Sequence, residues 1–302
     1  MMSRGRLKKF ACVRSWMMWT MLPAVAASLS LVGCAGSPPP AGAGPAAAGT
    51  SGDAINVSDI CSQAAQTRVA AAASPDSIKT ICSLKDSVAD ASRNFFYDTA
   101  GADYSPYYGD ARGEEVLRTT EGSNKVYGFS IYTGVLAKGQ KPADVVDVIR
   151  LQLFYPTEFK NGGFKTDSLV TYTPKGVTPG NFSNIEYDYY KNAVGNERPK
   201  LDYSSKVTIY DFGAAGLVVV DKLTAERNGS GLKNVEGVLL VYPKNGDTYV
   251  VGRSYQVVRA QNQTYDQVKS GVNATMKEQV QRDFDNYANA TKAAQVMAGK
   301  KK

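Results

Sequence analysis

The stretch VEGVLLVYPKNGDTYVVGRSYQVV, residues 235–258, is the part of the sequence that decides the fold. Two runs rich in valine, leucine and tyrosine flank the dipeptide Asn245-Gly246, and β-branched and aromatic residues are typical of strands. An Asn-Gly pair between two such runs is a strong signal for a two-residue turn, because both residues tolerate a positive φ. The stretch therefore predicts a β-hairpin with strands over Val235–Tyr242 and Tyr249–Val258.

The preceding residues extend this hairpin into a longer antiparallel meander. Val207–Phe212 and Leu217–Ala225 are strand-like runs, and the glycine- and serine-rich segment 227–233 provides a turn. Val145–Tyr155 is ambiguous between helix and strand, but its second half alternates apolar residues with a period of two, which favours a strand. Shorter or more isolated strands are predicted over Val126–Ala137, Leu169–Thr173 and Ile185–Tyr190.

The residues after the meander predict a long amphipathic helix that covers the sheet. Its apolar residues recur three or four positions apart and so lie on one face of a helix. Such a face usually packs on the protein's own sheet, so the predicted fold class is α+β: an antiparallel sheet covered by a long C-terminal helix. The apolar residues are Tyr265, Val268, Val272, Met276, Val280, Phe284 and Tyr287.

The order of a meander followed by a terminal helix is similar to that of PsbP/Mog1-type sandwiches. The resemblance concerns the order of the elements, and it implies a compact sheet with a helix on its surface. We assign residues 97–298 to a single α+β domain. The glycine- and lysine-containing residues 299–302 are expected to form a frayed basic tail.

The first 33 residues predict an export signal. Five basic residues and no acid occupy positions 1–14, and an uncharged apolar run continues to Gly33. The run ends in Leu31-Val32-Gly33-Cys34, which resembles the lipobox of bacterial lipoproteins. The resemblance implies cleavage after Gly33, a diacylglyceryl group on the sulfur of Cys34, and acylation of the new amine. An uncleaved membrane anchor is the alternative, because the run is long enough to span a bilayer.

The residues after Cys34 predict the location and the reach of the protein. In enterobacterial lipoproteins an aspartate after the cysteine favours the inner membrane, whereas Ala35 and Gly36 follow here, so we expect a periplasm-facing position on the outer membrane. Residues 34–53 are rich in proline, glycine and alanine, which predicts a flexible tether that reaches roughly 25 Å. The lipid bilayer is therefore one expected partner, held through the acyl chains.

The cysteines predict one disulfide. Of the four, Cys12 leaves with the signal and Cys34 is acylated, so two remain in an exported chain. An oxidising periplasm favours a bond between Cys61 and Cys82, and two free buried thiols are the alternative.

The residues around these two cysteines predict a helical hairpin. A first helix is expected from Ser58 to about Ala72, and a second starts at Ser74-Pro75, with serine as the N-cap and proline at the first helical position. The second helix is expected to end near Phe96. We assign residues 54–96 to a helical neck that precedes the sheet.

The composition removes several kinds of catalytic site. The chain of 302 residues contains no histidine, which excludes histidine-based triads, histidine general bases and histidine metal ligands. No phosphate-binding loop or dinucleotide fingerprint occurs. Without the five basic residues of the signal, the formal charge falls from +7 to +2, and we expect no nucleic-acid partner. We also expect no cofactor, no metal and no enzymatic activity, with a serine–lysine hydrolase as the remaining enzymatic alternative.

Two tyrosine-rich segments are the candidate binding surface. The first, FFYDTAGADYSPYYGDARGEE at residues 95–115, mixes tyrosines with carboxylates, and the second lies at residues 186–190. Tyrosine provides a large contact area and a hydroxyl group, which suits protein or glycan partners. The alternatives are tyrosines docked on the sheet and, for the first segment, a calcium site. The candidate residues are Tyr97, Tyr104, Tyr107, Tyr108, Tyr187, Tyr189 and Tyr190.

These features predict a non-enzymatic envelope lipoprotein that acts as a tethered binding or assembly module for a protein partner. A binder of glycan or peptidoglycan is the alternative. The position of the tyrosines discriminates between these functions. An exposed flat patch favours a protein partner and a groove favours a glycan, whereas a deep pocket with serine, lysine and carboxylates favours a hydrolase.

Overall fold

The computed structural model of the protein describes residues 57–88, 97–98, 114–121, 124–176, 182–191, 201–227, 231–260 and 263–300. These residues form six α-helices and nine β-strands, so the predicted α+β fold class is confirmed. The helices are α1 (Gln63–Val69), α2 (Pro75–Val88), α3 (Pro142–Phe154), α4 (Pro156–Asn161), α5 (Tyr265–Tyr287) and α6 (Ala290–Lys300). The strands are β1 (Tyr97–Asp98), β2 (Glu114–Glu121), β3 (Asn124–Ala137), β4 (Val170–Lys175), β5 (Asn184–Lys191), β6 (Leu201–Asp211), β7 (Leu217–Glu226), β8 (Leu232–Lys244) and β9 (Asp247–Ala260).

The predicted meander is confirmed, because β6, β7, β8 and β9 pair as successive antiparallel neighbours. Within the described residues the sheet order is β1-β3-β9-β8-β7-β6-β5-β4, and β2 also pairs with β3. The turn between β8 and β9 contains Asn245 and Gly246, whose φ values are 55° and 85°. These positive angles are what a two-residue turn needs to match the twist of its strands.

Helix α5 covers the sheet, as its apolar stripe predicts. Thr264 caps the first turn and exchanges two hydrogen bonds with Gln267, which is a capping box. In the N-terminal half of the helix, Val268 joins a cluster with strands β3 and β9. In the C-terminal half, Val280 and Tyr287 belong to the main core together with α3 and α6.

The strand predicted in the second half of Val145–Tyr155 is wrong, because these residues form helix α3. Pro142 lies in its first turn, where the missing amide hydrogen costs nothing. Seven of the thirteen helix residues are buried, since α3 packs against both α6 and the sheet. A helix buried on two sides is apolar around most of its circumference and loses the periodicity that identifies a surface helix.

Helices α1 and α2 pack on the opposite face of the sheet from α5. Alternating residues along β7 explain the two layers: Val218 and Val220 contact the α1–α2 pair, whereas Val219 contacts the layer of α3, α5 and α6. Phe212 and Leu240 are buried in the same cluster as the helical pair. The described part of the expected neck, residues 57–88, therefore shares a core with the sheet and is part of the folded body.

A buried polar network attaches the start of α2 to the sheet. Ser74 caps the helix by accepting a hydrogen bond of 3.3 Å from the backbone amide of Ser77. Both serine hydroxyls donate to the carboxylate of Glu236, with 2.7 Å between Ser74 Oγ and Glu236 Oε1. Arg253 contacts Ser77 and donates a bond of 2.9 Å to Ser130. These partners satisfy a carboxylate that is only 6% exposed, which a buried charge requires.

Cys61 and Cys82 form a disulfide bond in the structure, with 2.10 Å between the sulfurs and 5.6 Å between the Cα atoms. The bond joins the residue preceding the N-cap of α1 to the middle of α2, across a sequence separation of 21. It therefore cross-links the helical pair and leaves the strands of the sheet free of covalent bridges within the described residues.

Replacing both Cys61 and Cys82 by serine is expected to lower the free energy of unfolding by about 3 kcal/mol, because the bond restricts a loop of this length in the unfolded chain. Protection against hydrogen exchange should fall more in α1 and α2 than in strands β7–β9. Chemical denaturation and hydrogen exchange of wild-type and variant protein measure the two effects. An equal loss of protection in the helices and the central strands would contradict this expectation.

The C-terminal boundary differs from the prediction, because Gly299 and Lys300 belong to α6 and not to a frayed tail. Lys300 Nζ lies 2.9 Å from Glu158 Oε1 of α4. The same amine lies 4.7 Å from the centre of the Tyr155 ring. The end of α6 is thus held against α4, which closes one side of the helical layer.

Candidate functional site

A cavity of about 1610 Å³ lies between one face of the sheet and helix α5. Strands β4 to β9 supply its floor, α5 supplies the opposite wall, and α3, α4 and residues 166–168 supply one side. Several lining residues are exposed, among them Thr171, Thr275 and Glu278. The cavity therefore reaches the surface of the protein.

Side-chain alternation along paired strands builds the floor of the cavity. Asp221, Gly237 and Ser254 are register partners on β7, β8 and β9, so they form one row across the sheet. The nearest atom to a Cβ built on Gly237 would be the Cβ of Asp221, at 3.7 Å. The missing side chain of Gly237 thus leaves open space in the middle of the floor.

The end of the cavity beside the N-terminal half of α5 is apolar. Val258 and Leu232 of the sheet belong to one cluster with Val268, Val272 and Met276 of the helix, and all five line the cavity. Burial of apolar surface is favourable by about 25 cal/mol per Å², so this end favours an apolar occupant over water.

The other end of the cavity, beside the C-terminal half of α5, carries four tyrosines from the sheet, and Tyr287 of α5 also lines it. Tyr172, Tyr187, Tyr189 and Tyr203 come from strands β4, β5 and β6. The ring centre of Tyr172 lies 5.7 Å from that of Tyr187 and 5.5 Å from that of Tyr189, and Tyr189 stacks on Tyr203 at 4.6 Å. Burial raises the pKa of all four hydroxyl groups, so they stay neutral and able to donate hydrogen bonds.

Two of these four tyrosines belong to the candidate binding surface. The sequence singles out Tyr187 and Tyr189 because they stand close together in one segment, and both line the cavity. The sequence does not identify Tyr172 and Tyr203 as candidates, since each stands alone in its own segment. They join the group only through strand pairing, which places Tyr172 and Tyr203 on either side of Tyr189.

The other candidate residues do not meet in the cavity. Tyr190 follows Tyr189 in the same strand and lies on the opposite face of the sheet. Tyr97 lies in β1, which pairs with β3. The remaining candidates lie outside the described residues: Cys34, Tyr104, Tyr107 and Tyr108.

Asp221 places a carboxyl group at the tyrosine end. The hydroxyl of Tyr187 donates a hydrogen bond of 3.0 Å to its Oδ2, and the hydroxyl of Ser205 donates one of 2.5 Å to its Oδ1. Burial raises the pKa of Asp221, and the two hydrogen bonds offset only part of that effect. Among the described residues, no lysine or arginine forms an ion pair with this carboxyl group.

A second carboxyl group, that of Asp283 in α5, lines the same end. Gln279 Nε2 donates a hydrogen bond of 2.8 Å to its Oδ1, and Arg282 donates one of 3.0 Å to Gln279 Oε1. Burial raises the pKa of Asp283 to about 7, against the opposing effects of Gln279 and Arg282. Near neutral pH this group is therefore divided between its charged and neutral forms.

An ion pair lies at the side of the cavity, next to the tyrosines. Asp167 Oδ2 is 3.2 Å from Lys191 Nζ, and both residues line the cavity. Burial opposes the ionisation of Asp167, but the backbone amide of Leu169 and the charge of Lys191 outweigh it and lower the pKa. Lys191 is therefore already neutralised by a carboxylate at the side of the cavity.

The serine next to the cavity floor pairs with an acid and not with a lysine. Ser205 Oγ donates to Asp221 and lies 2.9 Å from the carbonyl oxygen of Lys222, and in the described part of the chain no lysine amine bonds to it. Lys175 instead contacts Ser204, 3.5 Å away on the opposite face. Lys191 does line the cavity, but it pairs with Asp167, so among the described residues no lysine amine accompanies Ser205.

In the described ranges, cysteine and acidic side chains form no group of three or more that could hold a metal ion. None of the helices in these ranges combines the length and the apolar character needed to cross a bilayer. Two of the five carboxylates of the calcium alternative at residues 95–115, those of Asp103 and Asp110, lie outside these ranges.

Comparison with known proteins does not identify a family. No protein-family model matches the chain, and no curated protein matches it. A STAR-related lipid transfer protein from Xanthomonas axonopodis is 13% identical, with 59% of this chain and 98% of that chain covered and a TM-score of 0.38. Human STARD10 is 10% identical, with 63% of this chain and 80% of that chain covered and a TM-score of 0.42.

A truncated norcoclaurine synthase from Thalictrum flavum is similar to the same degree. It is 11% identical, with 57% of this chain and 98% of that chain covered and a TM-score of 0.34. Similarities of this size support no conclusion about the family, the ligand or the activity of the chain. The resemblance to PsbP/Mog1-type sandwiches stays a prediction.

Proposed function

We propose that this protein is a lipid-anchored envelope protein that binds a large apolar or amphipathic ligand, about the size of a lipid, in the cavity between the sheet and α5. The cavity itself is the observation that carries the proposal. The proposal keeps the non-enzymatic binding role expected from the sequence and assigns it to a small molecule in place of a protein partner.

The volume of the cavity supports a large ligand. Ligand sites commonly measure about 300 to 1,000 Å³, and this cavity is larger, at about 1610 Å³. Water that filled it would face apolar walls over much of the surface and find few hydrogen-bond partners. Replacing that water by hydrocarbon is favourable by about 0.8 kcal/mol for each buried methylene group.

The distribution of the lining residues supports a ligand with two unlike ends. Val258, Val268 and Met276 form an apolar end, whereas the hydroxyls of Tyr187 and Tyr203 and nearby carboxyl groups form a polar end. Binding sites for small molecules usually combine such an apolar wall with a few polar groups that fix the orientation. A hydrocarbon chain with one polar group matches this arrangement.

The position of the tyrosines favours a small ligand over the other functions considered. Tyr187 and Tyr189 line a cavity and do not form an exposed flat patch of the kind that suits a protein partner. A groove lined by tyrosine would also suit a glycan, but a glycan carries hydroxyl groups along its whole length. The apolar cluster of Val258, Val268 and Met276 offers such hydroxyl groups no hydrogen-bond partner of its own.

The expected anchor gives the ligand a source. Acylation at Cys34 and a tether over residues 34–53 would hold the folded body within roughly 25 Å of the bilayer. A ligand that leaves the membrane could then enter the cavity without crossing a long aqueous distance.

Filling the cavity should abolish binding. Gly237→Phe places an aromatic ring in the open space of the floor, where the nearest atom to the new Cβ lies 3.7 Å away. Full-length protein in phospholipid vesicles is labelled with a photoreactive dodecanol, and the labelled peptides are mapped by mass spectrometry. We expect label on α5 and on strands β7–β9 in the wild-type protein, and a decrease of at least about tenfold in the variant.

The matched control is Thr173→Phe, which adds the same ring to an exposed position on the opposite face of β4. It should leave the labelling of α5 unchanged. An absence of cavity label in the wild-type protein, or equal label in wild-type and Gly237→Phe protein, would show that the proposal is wrong. Sedimentation with purified peptidoglycan tests the glycan alternative. Peptidoglycan binding that survives Gly237→Phe would favour that alternative.

A further inference from the structure

The polar end of the cavity contains a carboxyl group without a counter-ion. Asp221 lines the cavity and receives hydrogen bonds from Tyr187 and Ser205, at 3.0 Å and 2.5 Å. A carboxylate offers about four lone-pair positions, so these two donors leave acceptor capacity unused. Among the described residues, none of the ion pairs involves Asp221.

The cations near this end are engaged elsewhere. Lys191 pairs with Asp167 at the side of the cavity, 3.2 Å away. Arg282 donates to Gln279 in the same helix, at 3.0 Å. The second carboxyl group, that of Asp283, is divided between its charged and neutral forms near neutral pH. Neither cation therefore pairs with Asp221, which leaves its carboxyl group to a cationic group of the ligand.

This electrostatic environment selects among the polar groups that an amphiphile can carry. A carboxylate or phosphate would be repelled by the ionised forms of Asp221 and Asp283. A hydroxyl group would supply one hydrogen bond and no charge. A protonated amine supplies three donors and a positive charge, which match the unused acceptor capacity of Asp221.

We infer that the polar end is a subsite for the protonated amine of a single-chain or larger cationic amphiphile, with Asp221 as its counter-ion. The inference rests on the proposed function, since the hydrocarbon part of the ligand must occupy the apolar end. An ammonium group bound here favours the ionised form of Asp221 and removes the cost of burying an unpaired charge. The two donors on Asp221 hold the carboxylate in place for this contact.

The experiment compares competitors that differ only in the polar group. Full-length protein in phospholipid vesicles is photolabelled with the dodecanol probe, and dodecylamine, dodecanol or dodecanoate competes for the cavity at pH 7. Each competitor is tested on wild-type protein, on Asp221→Asn and on Asp188→Asn. Because each competitor partitions equally into the vesicles in all samples, the ratio of its potencies on variant and wild type reports the cavity alone.

We expect Asp221→Asn to weaken competition by dodecylamine about tenfold, which is the effect of losing a hydrogen bond to a charged group. The potency of dodecanol as a competitor should stay within about twofold of its wild-type value. Asp188→Asn removes the same charge on the opposite face, where Asp188 pairs with Lys175 and Arg227. It should leave the potency of all three competitors unchanged. Asp221→Ser, which is smaller and adds no steric strain, should reproduce the selective loss of dodecylamine competition.

Three other outcomes would contradict the inference, and each has a different meaning. If both Asp221 variants keep wild-type competition by dodecylamine, Asp221 is not a counter-ion, although the cavity still binds the dodecanol probe. If dodecylamine and dodecanol lose potency equally, Asp221 only supports the shape of the cavity. If the wild-type cavity takes no label, the proposed function fails and the amine subsite fails with it.

Discussion

Replacing Gly216 with alanine is expected to lower the free energy of unfolding by at least about 3 kcal/mol. Gly216 has φ of 117° and ψ of −161°, a conformation that residues with a Cβ rarely adopt. A Cβ added there would lie 2.3 Å from the carbonyl oxygen of Val241 and 2.9 Å from the Cα of Tyr242. Both contacts are with the backbone of β8, which cannot move aside without separating β7 from β8.

Gly213→Ala is the matched control, because it lies at the other end of the same short turn. Its φ is also positive, at 62°, but a Cβ there would meet no atom within 4 Å. We expect a loss of about 1 to 2 kcal/mol, the cost of the left-handed conformation alone. Equal losses in the two variants, measured by chemical denaturation, would show that contact with β8 is not what excludes a side chain at Gly216.

Replacing Cys34 with serine is expected to abolish the attachment of the protein to the membrane. The lipobox resemblance makes the Cys34 thiol the site of the thioether, and a serine hydroxyl is not a substrate for that step. Two or three acyl chains give durable attachment at about 0.8 kcal/mol per buried methylene. Without them, the protein should be found in the soluble fraction of the envelope. Metabolic labelling with a fatty-acid analogue and fractionation of the envelope measure the result.

Cys12→Ser is the control for this change, because Cys12 lies within the expected signal and should carry no lipid. Fatty-acid label that persists in Cys34→Ser protein would contradict the anchor. Tryptophan fluorescence gives an independent test, since the only two tryptophans, Trp16 and Trp19, precede the expected cleavage site. Emission from protein purified from its native host would show that the signal is retained.

The parts of the fold that the sequence predicts correctly are those with a strong local pattern. The hairpin around Asn245-Gly246 and the helix over Tyr265–Tyr287 each depend on residues that lie within a few positions of one another. Helix α3 fails for the opposite reason, because burial against both the sheet and α6 removes its polar face. A local pattern cannot report a second buried face that only distant residues create.

The candidate site is predictable only in part. Tyr187 and Tyr189 are noticeable in the sequence because they stand together, but the sequence does not state which surface they serve. Tyr203 is 14 residues beyond Tyr189 and becomes its stacking partner through the β5–β6 register. Asp221 carries no sequence signal at all, since a single acid in a strand is most often a solvated residue.

The sequence by itself determined the α+β class, the meander and the long helix, because propensity, alternation and helical periodicity are properties of neighbouring residues. Only the tertiary structure decided that α1 and α2 cover one face of the sheet, and that a cavity remains beneath α5 on the other. It also decided that Asp221 meets Tyr187 within that cavity. Such contacts depend on strand register and on helix packing over long separations, and a short window of sequence contains neither.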